Sequence, residues 1–334
     1  MKKNIFSLIP FLALSALSLS CKDKNYTFTP TKVAVFADNQ LLSYNGGGNV
    51  AYSIPYLNYH LNFCKENDVD VIMIGGDLVN NAIDSYYMTF ENALKEVYGT
   101  NEKEYPEFVY IMGNHEWWNV NEDVTDISAK LYHQHARIDT PNLVKKSEAQ
   151  LADQKGQYAG NFYKVVNGIP FVGISGSNSS GLISYDAQDE IKSWLNEISE
   201  LPSVKAGGPI FLTYHYAIKD VTYTFGQGGA ELSYYLDKIL KDYPQAVIFT
   251  GDTHFAAANE RTINQIDYTA INIGSSCYSR HVSRSATMKS YESYYNVGSN
   301  FGDKDILIGE VANDYNQTPH IHLLTIDENV ILMH

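Results

Sequence analysis

What this chain lacks narrows the field first. It has three cysteines in 334 residues, with no CxxC or CxH spacing beside any of them, so neither a cysteine zinc site nor a cysteine nucleophile is indicated. It has no basic block: 24 Lys and Arg face 38 Asp and Glu, a formal charge of −14. Phosphate neutralisation supplies most of the affinity for DNA or RNA, so this balance argues against a sequence-independent nucleic-acid binder. No P-loop lysine follows Gly46-Gly47-Gly48, and the triple glycine reads as a flexible loop instead of a phosphate cradle. There is no internal repeat, no second hydrophobic domain and nothing that points to a protein partner.

What is present is an ordinary globular composition, 44% apolar, in a chain long enough to bury a sizeable core. Its 26 tyrosines offer flat faces and hydroxyls, as carbohydrate-binding and surface proteins do, without choosing between those classes. Lys2 and Lys3 precede an apolar stretch from Ile5 to Leu19, the n-region and h-region of a secretory signal, too short to span a bilayer comfortably. Leu17-Ser18-Leu19-Ser20-Cys21 resembles a bacterial lipoprotein cleavage box, although Ser18 stands where a leucine is usual. The expected organisation is a signal peptide over 1–20, a lipidated Cys21 with a polar tether over 21–29, and one domain over 30–334. Export to a bacterial cell envelope and membrane attachment through Cys21 follow, with soluble secretion as the alternative. Cys64 and Cys277 remain in the mature chain. An oxidising compartment permits a bridge, but Cys64 shares a helical face with Ile54, Leu57 and Leu61 and reads as a buried thiol.

Short apolar runs alternate with helical spacings. Strands are expected at Lys32–Ala37, Val69–Ile74 and Val109–Met112, separated by a helix opening near Ser53-Ile54-Pro55 and one carrying Tyr87, Phe90, Leu94 and Val97. That is the alternation of an α/β fold with neighbouring parallel strands. Val124, Ile127 and Leu131 mark a further helix, whose His133 and His135 read as solvated. Asn167-Gly168 between Phe162–Val166 and Ile169–Ile174 is a two-residue hairpin signal. Ile191, Trp194, Leu195 and Ile198 form an amphipathic stripe, so Trp194 belongs to the core. Pro209–Tyr214 precedes His215, the helix of Leu232, Leu236, Ile239 and Leu240 follows, and Ala246–Thr250 leads into Gly251-Asp252-Thr253-His254. Strands at Tyr268–Ile273, Ile306–Val311, His320–Ile326 and Val330–Met333 close the chain. Tyr278–Phe301 reads as a long surface loop, from which Arg280 and Arg284 could meet an anionic substrate.

Asp38, Asp77, Asn114, His215, Asp252 and His254 each follow a short apolar run, usually beside a glycine or small residue. In open α/β sheets ligands bind outside the carboxyl ends of the strands. One such residue could belong to a tight turn; six suggest oxygen and imidazole donors converging on one sheet edge, as a pair of divalent ions requires.

The order Asp38, Gly76-Asp77, Gly113-Asn114-His115-Glu116, His215, Gly251-Asp252-Thr253-His254 resembles the calcineurin-like metallophosphoesterase superfamily over essentially the whole mature chain. The resemblance implies two facing mixed β-sheets flanked by helices, a four-layer α/β sandwich. It implies that Asp77 bridges two metals, Asp38 and His254 hold one, and Asn114 and His215 hold the other. It also implies hydrolysis of a phosphate ester by water or hydroxide between the metals, with His115 protonating the leaving oxygen. Two positions depart from the commonest pattern. Gln40 stands where Asp-x-His has its histidine, and Asp252 replaces the first histidine of Gly-His-x-His; both join the expected metal set. Asn80 occupies the place of the iron-binding tyrosine of purple acid phosphatases, which argues against a purple Fe(III) centre. Oxygen ligands in place of two imidazoles favour Mn²⁺ or Mg²⁺, with Fe²⁺ or Zn²⁺ compatible. The extra carboxylate is expected to raise the pKa of the attacking water and to favour a monoanionic diester over a dianionic monoester. Trp117 and Trp118 could stack on an aromatic or sugar part of a phosphorylated small molecule, glycan or nucleotide, or could belong to the core. Two function classes stay open: a metallophosphoesterase, and a non-catalytic metal-retaining binding lipoprotein of the same fold.

Overall fold

The computed structural model describes residues 26–42, 50–118, 125–151, 154–222, 233–254, 262–277, 279–282, 311–314, 321–327 and 330–333. The expected signal peptide, Cys21, the triple glycine, Arg284 and most of the strand expected at 306–311 lie outside these residues. The first part of the chain forms β1 (Thr31–Phe36), α1 (Val50–Glu66), β2 (Val71–Ile74), α2 (Asp84–Tyr98), β3 (Glu107–Tyr110) and α3 (Thr125–His135). The middle forms β4 (Leu143–Lys146), β5 (Gln150–Leu151), β6 (Gln154–Tyr158), β7 (Phe162–Val166), β8 (Ile169–Ile174), α4 (Tyr185–Ser199) and α5 (Pro202–Lys205). The last part forms β9 (Ile210–Tyr214), α6 (Tyr234–Leu240), β10 (Ala246–Thr250), β11 (Ile263–Gln265), β12 (Thr269–Asn272), β13 (Ser279–Val282), β14 (Val311–Asp314), β15 (His322–Asp327) and β16 (Val330–Met333).

Two mixed sheets flanked by helices result, as expected. One has the order β16-β15-β1-β2-β3 and the other β11-β12-β10-β9-β8-β7-β4. β1, β2 and β3 run parallel, as do β8, β9, β10 and β12. Strands of this kind are covered on both faces, which is why they read as unbroken apolar runs and not as alternation. Phe171, Phe211 and Phe249 stack across β8, β9 and β10 with ring centres 5.5 and 6.0 Å apart. Leu57 and Leu61 of α1 and Tyr87, Phe90 and Leu94 of α2 join the same core as the strands. Trp194 is buried with Ile191, Leu195 and Ile198 on α4, as its spacing required.

The β7–β8 hairpin closes with Val166 opposite Ile169. Asn167 and Gly168 sit at φ 52° and 81°, the doubly left-handed backbone of a type I′ turn that suits strand twist. β3 ends at Tyr110, two residues before the expected end. The Ile111 N–H still reaches Ile74 O at 3.2 Å, but the Met112 N–H is taken by Ser175 Oγ at 3.0 Å, from beyond the end of β8 in the other sheet. The ladder stops because the second sheet captures its next donor.

Other expectations are corrected here. His135 is not solvated: its ring is buried, with Nδ1 2.5 Å from Glu91 Oε1 and Nε2 3.1 Å from Asp84 Oδ1. It also lies parallel to Tyr87 at 5.1 Å. Helical spacing placed it correctly on α3 but could not show that two carboxylates of α2 lie opposite. His133 is half-buried, and burial lowers its imidazole pKa. Part of the expected surface loop is strand, since Ser279–Val282 pairs antiparallel with Val311–Asp314. Cys64 and Cys277 are both buried and not bridged to each other, and burial pushes the Cys64 thiol up to about 12.

An ion pair ties the two sheets at the end remote from the ligand loops. Lys164 of β7, fully buried, donates to Glu107 Oε2 of β3 at 3.0 Å and to Arg137 O at 3.2 Å. Glu107 also accepts from Thr140 Oγ1 at 2.7 Å and Asn142 Nδ2 at 2.9 Å. Removing one partner of a buried pair strands the other, so Lys164→Ala is expected to cost about 3–5 kcal/mol in urea unfolding. Lys164→Met, which keeps the volume, paired with Glu107→Gln, is expected to recover a good part of that loss.

Candidate metal centre

Five strands that carry candidate ligands deliver them to one rim: Asp38 after β1, Asp77 after β2, Asn114 after β3, His215 after β9, and Asp252 and His254 after β10. The loops are laced together by their own backbones. Asp38 N–H donates to Gly76 O at 3.1 Å, Gln40 N–H to Asp77 O at 2.8 Å, and Gly251 N–H to His215 O at 2.7 Å. The Asp252 N–H reaches the Asp38 carboxylate at 3.1 and 3.3 Å, joining one sheet to the other. Side chains are excluded where loops meet. A Cβ on Gly113 would lie 2.2 Å from Asp77 Oδ1 and 2.8 Å from His215 Cε1, and one on Gly251 would lie 2.5 Å from Asp38 Oδ2.

The backbone here is unusual. Asp38, Gln40, Asp77, Asp252 and His254 all have φ between 48° and 63°. Left-handed backbone is tolerated best by Asn and Asp and costs about 1–3 kcal/mol per residue when held by the surroundings. The chain accepts this at five ligand candidates because the converging loops leave no other direction.

Glu116 holds two of those loops. Its buried carboxylate accepts from the N–H groups of Asp77, Leu78 and Gly113 at 2.8 Å each, from the Tyr110 hydroxyl at 2.8 Å, and from the Val79 N–H at 3.3 Å. Burial and the Asp77 charge push its carboxyl up to about 7. Every neighbour donates and none accepts, however, so the folded loops hold the anion. The Gly-Asn-His-Glu motif drew attention to the histidine; only the structure shows that the glutamate organises the loops.

Short distances link the candidate donors to one another across the rim. Asp38 Oδ1 is 3.1 Å from His254 Nε2. His215 Nε2 is 3.0 Å from Asn114 Oδ1, 3.4 Å from Asp77 Oδ1 and 3.8 Å from Asp252 Oδ1. Donor atoms of Asp38, Asp77 and His215 lie within 4.8 Å of one another. His215 Nδ1 lies 2.8 Å from Gly75 O, an atom that can only accept, so Nδ1 carries hydrogen and Nε2 is the nitrogen that faces the site. Three carboxylates and an imidazole nitrogen thus converge in a buried space.

Among the described residues no lysine or arginine pairs with Asp38, Asp77 or Asp252; their charged neighbours are histidines. Asp252 Oδ2 is buried without a hydrogen-bond partner. Burial pushes the Asp252 carboxyl up to about 6, with the Asp38 and Asp77 charges adding to the effect and His215 opposing it. Burial works against the His215 imidazolium, yet Asp77, Asp38 and Asp252 hold its pKa well above the usual range. These features fit a hard cation site with oxygen and imidazole donors.

The remaining candidates separate. His115 Nδ1 is 2.8 Å from Asn80 O, and its Nε2 is 3.6 Å from Asp77 Oδ2 and 3.1 Å from Gln40 Nε2. Gln40, expected among the metal ligands, therefore lies against His115. Trp118 is 45% exposed, with its ring centre 4.0 Å from that of His115. Trp117 is 8% exposed and offers no face to a substrate, because the 3-10 turn His115–Trp117 points it inward. Arg280 lies on β13 opposite Asn313.

The family model described as calcineurin-like phosphoesterase matches residues 31–256. Comparison with curated protein sequences gave no match. Among solved structures, a purple acid phosphatase from yellow lupin (Lupinus luteus) seeds aligns with TM-score 0.56 at 12% identity, covering 92% of this chain and 51% of that one. This chain thus spans about half the length of the lupin protein. A dimetal phosphatase from Danio rerio aligns with TM-score 0.47 at 10% identity, over 91% of this chain and 95% of that one. GAP50, the anchor in the inner membrane complex of Plasmodium, aligns with TM-score 0.49 at 16% identity, over 91% and 88%. At such identities the lupin likeness speaks for the fold alone.

The Asp252 proton affinity yields a prediction. Because its carboxyl is raised from 3.8 to about 6, the metal-free fold loses stability as pH rises through that window. Asp252→Asn removes this cost and suits left-handed backbone. In mildly alkaline buffer the metal-free variant is expected to be more stable than wild type by about 1–3 kcal/mol, an advantage that vanishes in acid. Saturating Mn²⁺ is expected to reverse the order, as read by urea unfolding with and without the ion.

Proposed function

The chain belongs to the calcineurin-like phosphoesterase family, and from that premise we propose that it hydrolyses a phosphate ester at the rim where the two sheets meet. The convergence of three buried carboxylates with Asn114, His215 and His254 at one rim carries this reading. Asp38, Asp77 and His254 would hold one divalent ion, and Asp77, Asn114, His215 and Asp252 the other. When bound, such ions supply Lewis-acid neutralisation of phosphoryl charge and a nucleophile at neutral pH.

The protein's own contributions follow from its hydrogen bonds. The Gly75 carbonyl orients His215, and Glu116 orients the loops that carry Asp77 and Asn114. His115 has its Nδ1–H engaged by Asn80 O, which leaves Nε2 as the atom that hands a proton to a departing oxygen. Its side chain is 14% exposed, so a substrate can reach it. The exposed Trp118 ring beside it offers a surface for an aromatic or sugar leaving group. Three buried carboxylates offset much of the charge of two dications and favour a monoanionic diester over a dianionic monoester.

Export and lipid attachment through Cys21 form part of the same reading. They rest on the charged and apolar segments before Cys21 and are checked by labelling with a fatty acid, which Cys21→Ser is expected to abolish.

Metal-stripped protein resupplied with Mn²⁺, Mg²⁺ or Zn²⁺ is to be assayed on a chromogenic monoester and diester. Turnover is expected to require metal, to favour the diester, and to fall about 10²–10⁴-fold in His115→Ala for esters with poor leaving groups. Trp118→Ala is expected to raise KM for aromatic esters, by about 1–3 kcal/mol if the contact resembles base stacking. Binding of metal without turnover of either ester would move the assignment to a non-catalytic binding protein.

A further inference from the structure

We propose that Gln40 is a positioning residue for His115 and not a metal ligand. The functional consequence rests on the hydrolase reading above; the contact itself does not.

His115 Nδ1 lies 2.8 Å from the Asn80 carbonyl oxygen, an obligate acceptor, so Nδ1 is protonated in either charge state of the ring. In the neutral ring Nε2 is then an acceptor, and Gln40 Nε2 sits 3.1 Å from it with amide hydrogens to give. Gln40 is 3% exposed, so its amide has little water to turn to. Its backbone is pinned as well, because the N–H donates to Asp77 O at 2.8 Å with φ at 48°. The imidazole is thus gripped at both nitrogens, by Asn80 on one side and Gln40 on the other.

A carboxamide suits this place for a chemical reason. It presents a donor and an acceptor at the same end of one side chain. Facing the neutral ring it donates N–H to Nε2. After a half-turn about its last bond it offers its carbonyl oxygen to Nε2–H. The ring can therefore keep its position before and after the proton leaves Nε2. An ion held by Asp38, Asp77 and His254 would lose no indispensable donor if Gln40 is withheld, since three protein ligands with open positions suit a catalytic site.

The test uses the full chain and two readouts. In metal-free protein, long-range ¹H–¹⁵N spectra identify the His115 ring by its loss in His115→Ala. Gln40→Met is expected to shift the Nε2 resonance while Nδ1 stays protonated, and unmoved resonances of the other histidine rings control for general disruption. With Mn²⁺ restored, Gln40→Met is expected to keep the wild-type metal stoichiometry. Its kcat is expected to fall about tenfold or more on alkyl esters and far less on 4-nitrophenyl esters, whose leaving group departs without a proton. In a His115→Ala background the same substitution is expected to add nothing. Loss of metal stoichiometry with an unchanged His115 spectrum would make Gln40 a ligand and overturn the proposal, as would a fall in kcat independent of the leaving group. If the spectrum shifts but wild type turns over no ester, the Gln40 contact stands and the hydrolase reading fails.

Discussion

The carboxylate of Glu116 is the contact on which the site depends. It gathers the N–H groups of Asp77, Leu78, Val79 and Gly113 and the Tyr110 hydroxyl around one buried charge. The turns after β2 and β3 would otherwise expose those donors to an interior without water, where each unpaired group costs about 1–3 kcal/mol. With Glu116 in place, the Asp77 side chain and the Asn114–His115 pair are presented from a fixed frame. The frame extends to the second sheet through Met112 N–H on Ser175 Oγ and His215 Nδ1 on Gly75 O.

Around that frame the protein accumulates features that oppose folding. Asp38, Asp77 and Asp252 are buried together, and five ligand candidates adopt left-handed backbone. Such a rim is tolerable because the rest of the molecule is over-determined: apolar strands covered on both faces, stacked phenylalanines across β8, β9 and β10, and the Lys164–Glu107 pair joining the sheets at the far end. A cation bound at the rim would convert the electrostatic liability into affinity. The same physics explains why stability and metal binding are expected to move in opposite directions at Asp252.

Much of the rim was legible in the sequence because strands in parallel sheets are unbroken apolar runs, and a polar donor placed just past the end of such a run stands out. Asp38, Asp77, Asn114, His215, Asp252 and His254 all stand out that way, and the structure brings them to one edge. Partnership was not legible. His135 and Trp194 both sit on amphipathic helices; spacing sufficed for Trp194, whose burial follows from its own face. His135 is buried by carboxylates on another helix. Trp117 and Trp118 are neighbours with the same chemistry, and a single 3-10 turn buries one and exposes the other. Gln40 occupies a ligand position by pattern, yet its amide nitrogen meets His115.

The sequence by itself determined the α/β alternation, the Asn167-Gly168 hairpin, the apolar core faces and the residue types available to a metal, because these follow from local periodicity, turn stereochemistry and side-chain chemistry. Tertiary structure alone decided which donors lie side by side, which nitrogen of His115 and of His215 faces the site, and which side chain meets His115. Those are contacts between loops far apart in the chain. A hydrogen bond depends on distance and direction, which no spacing along a sequence contains.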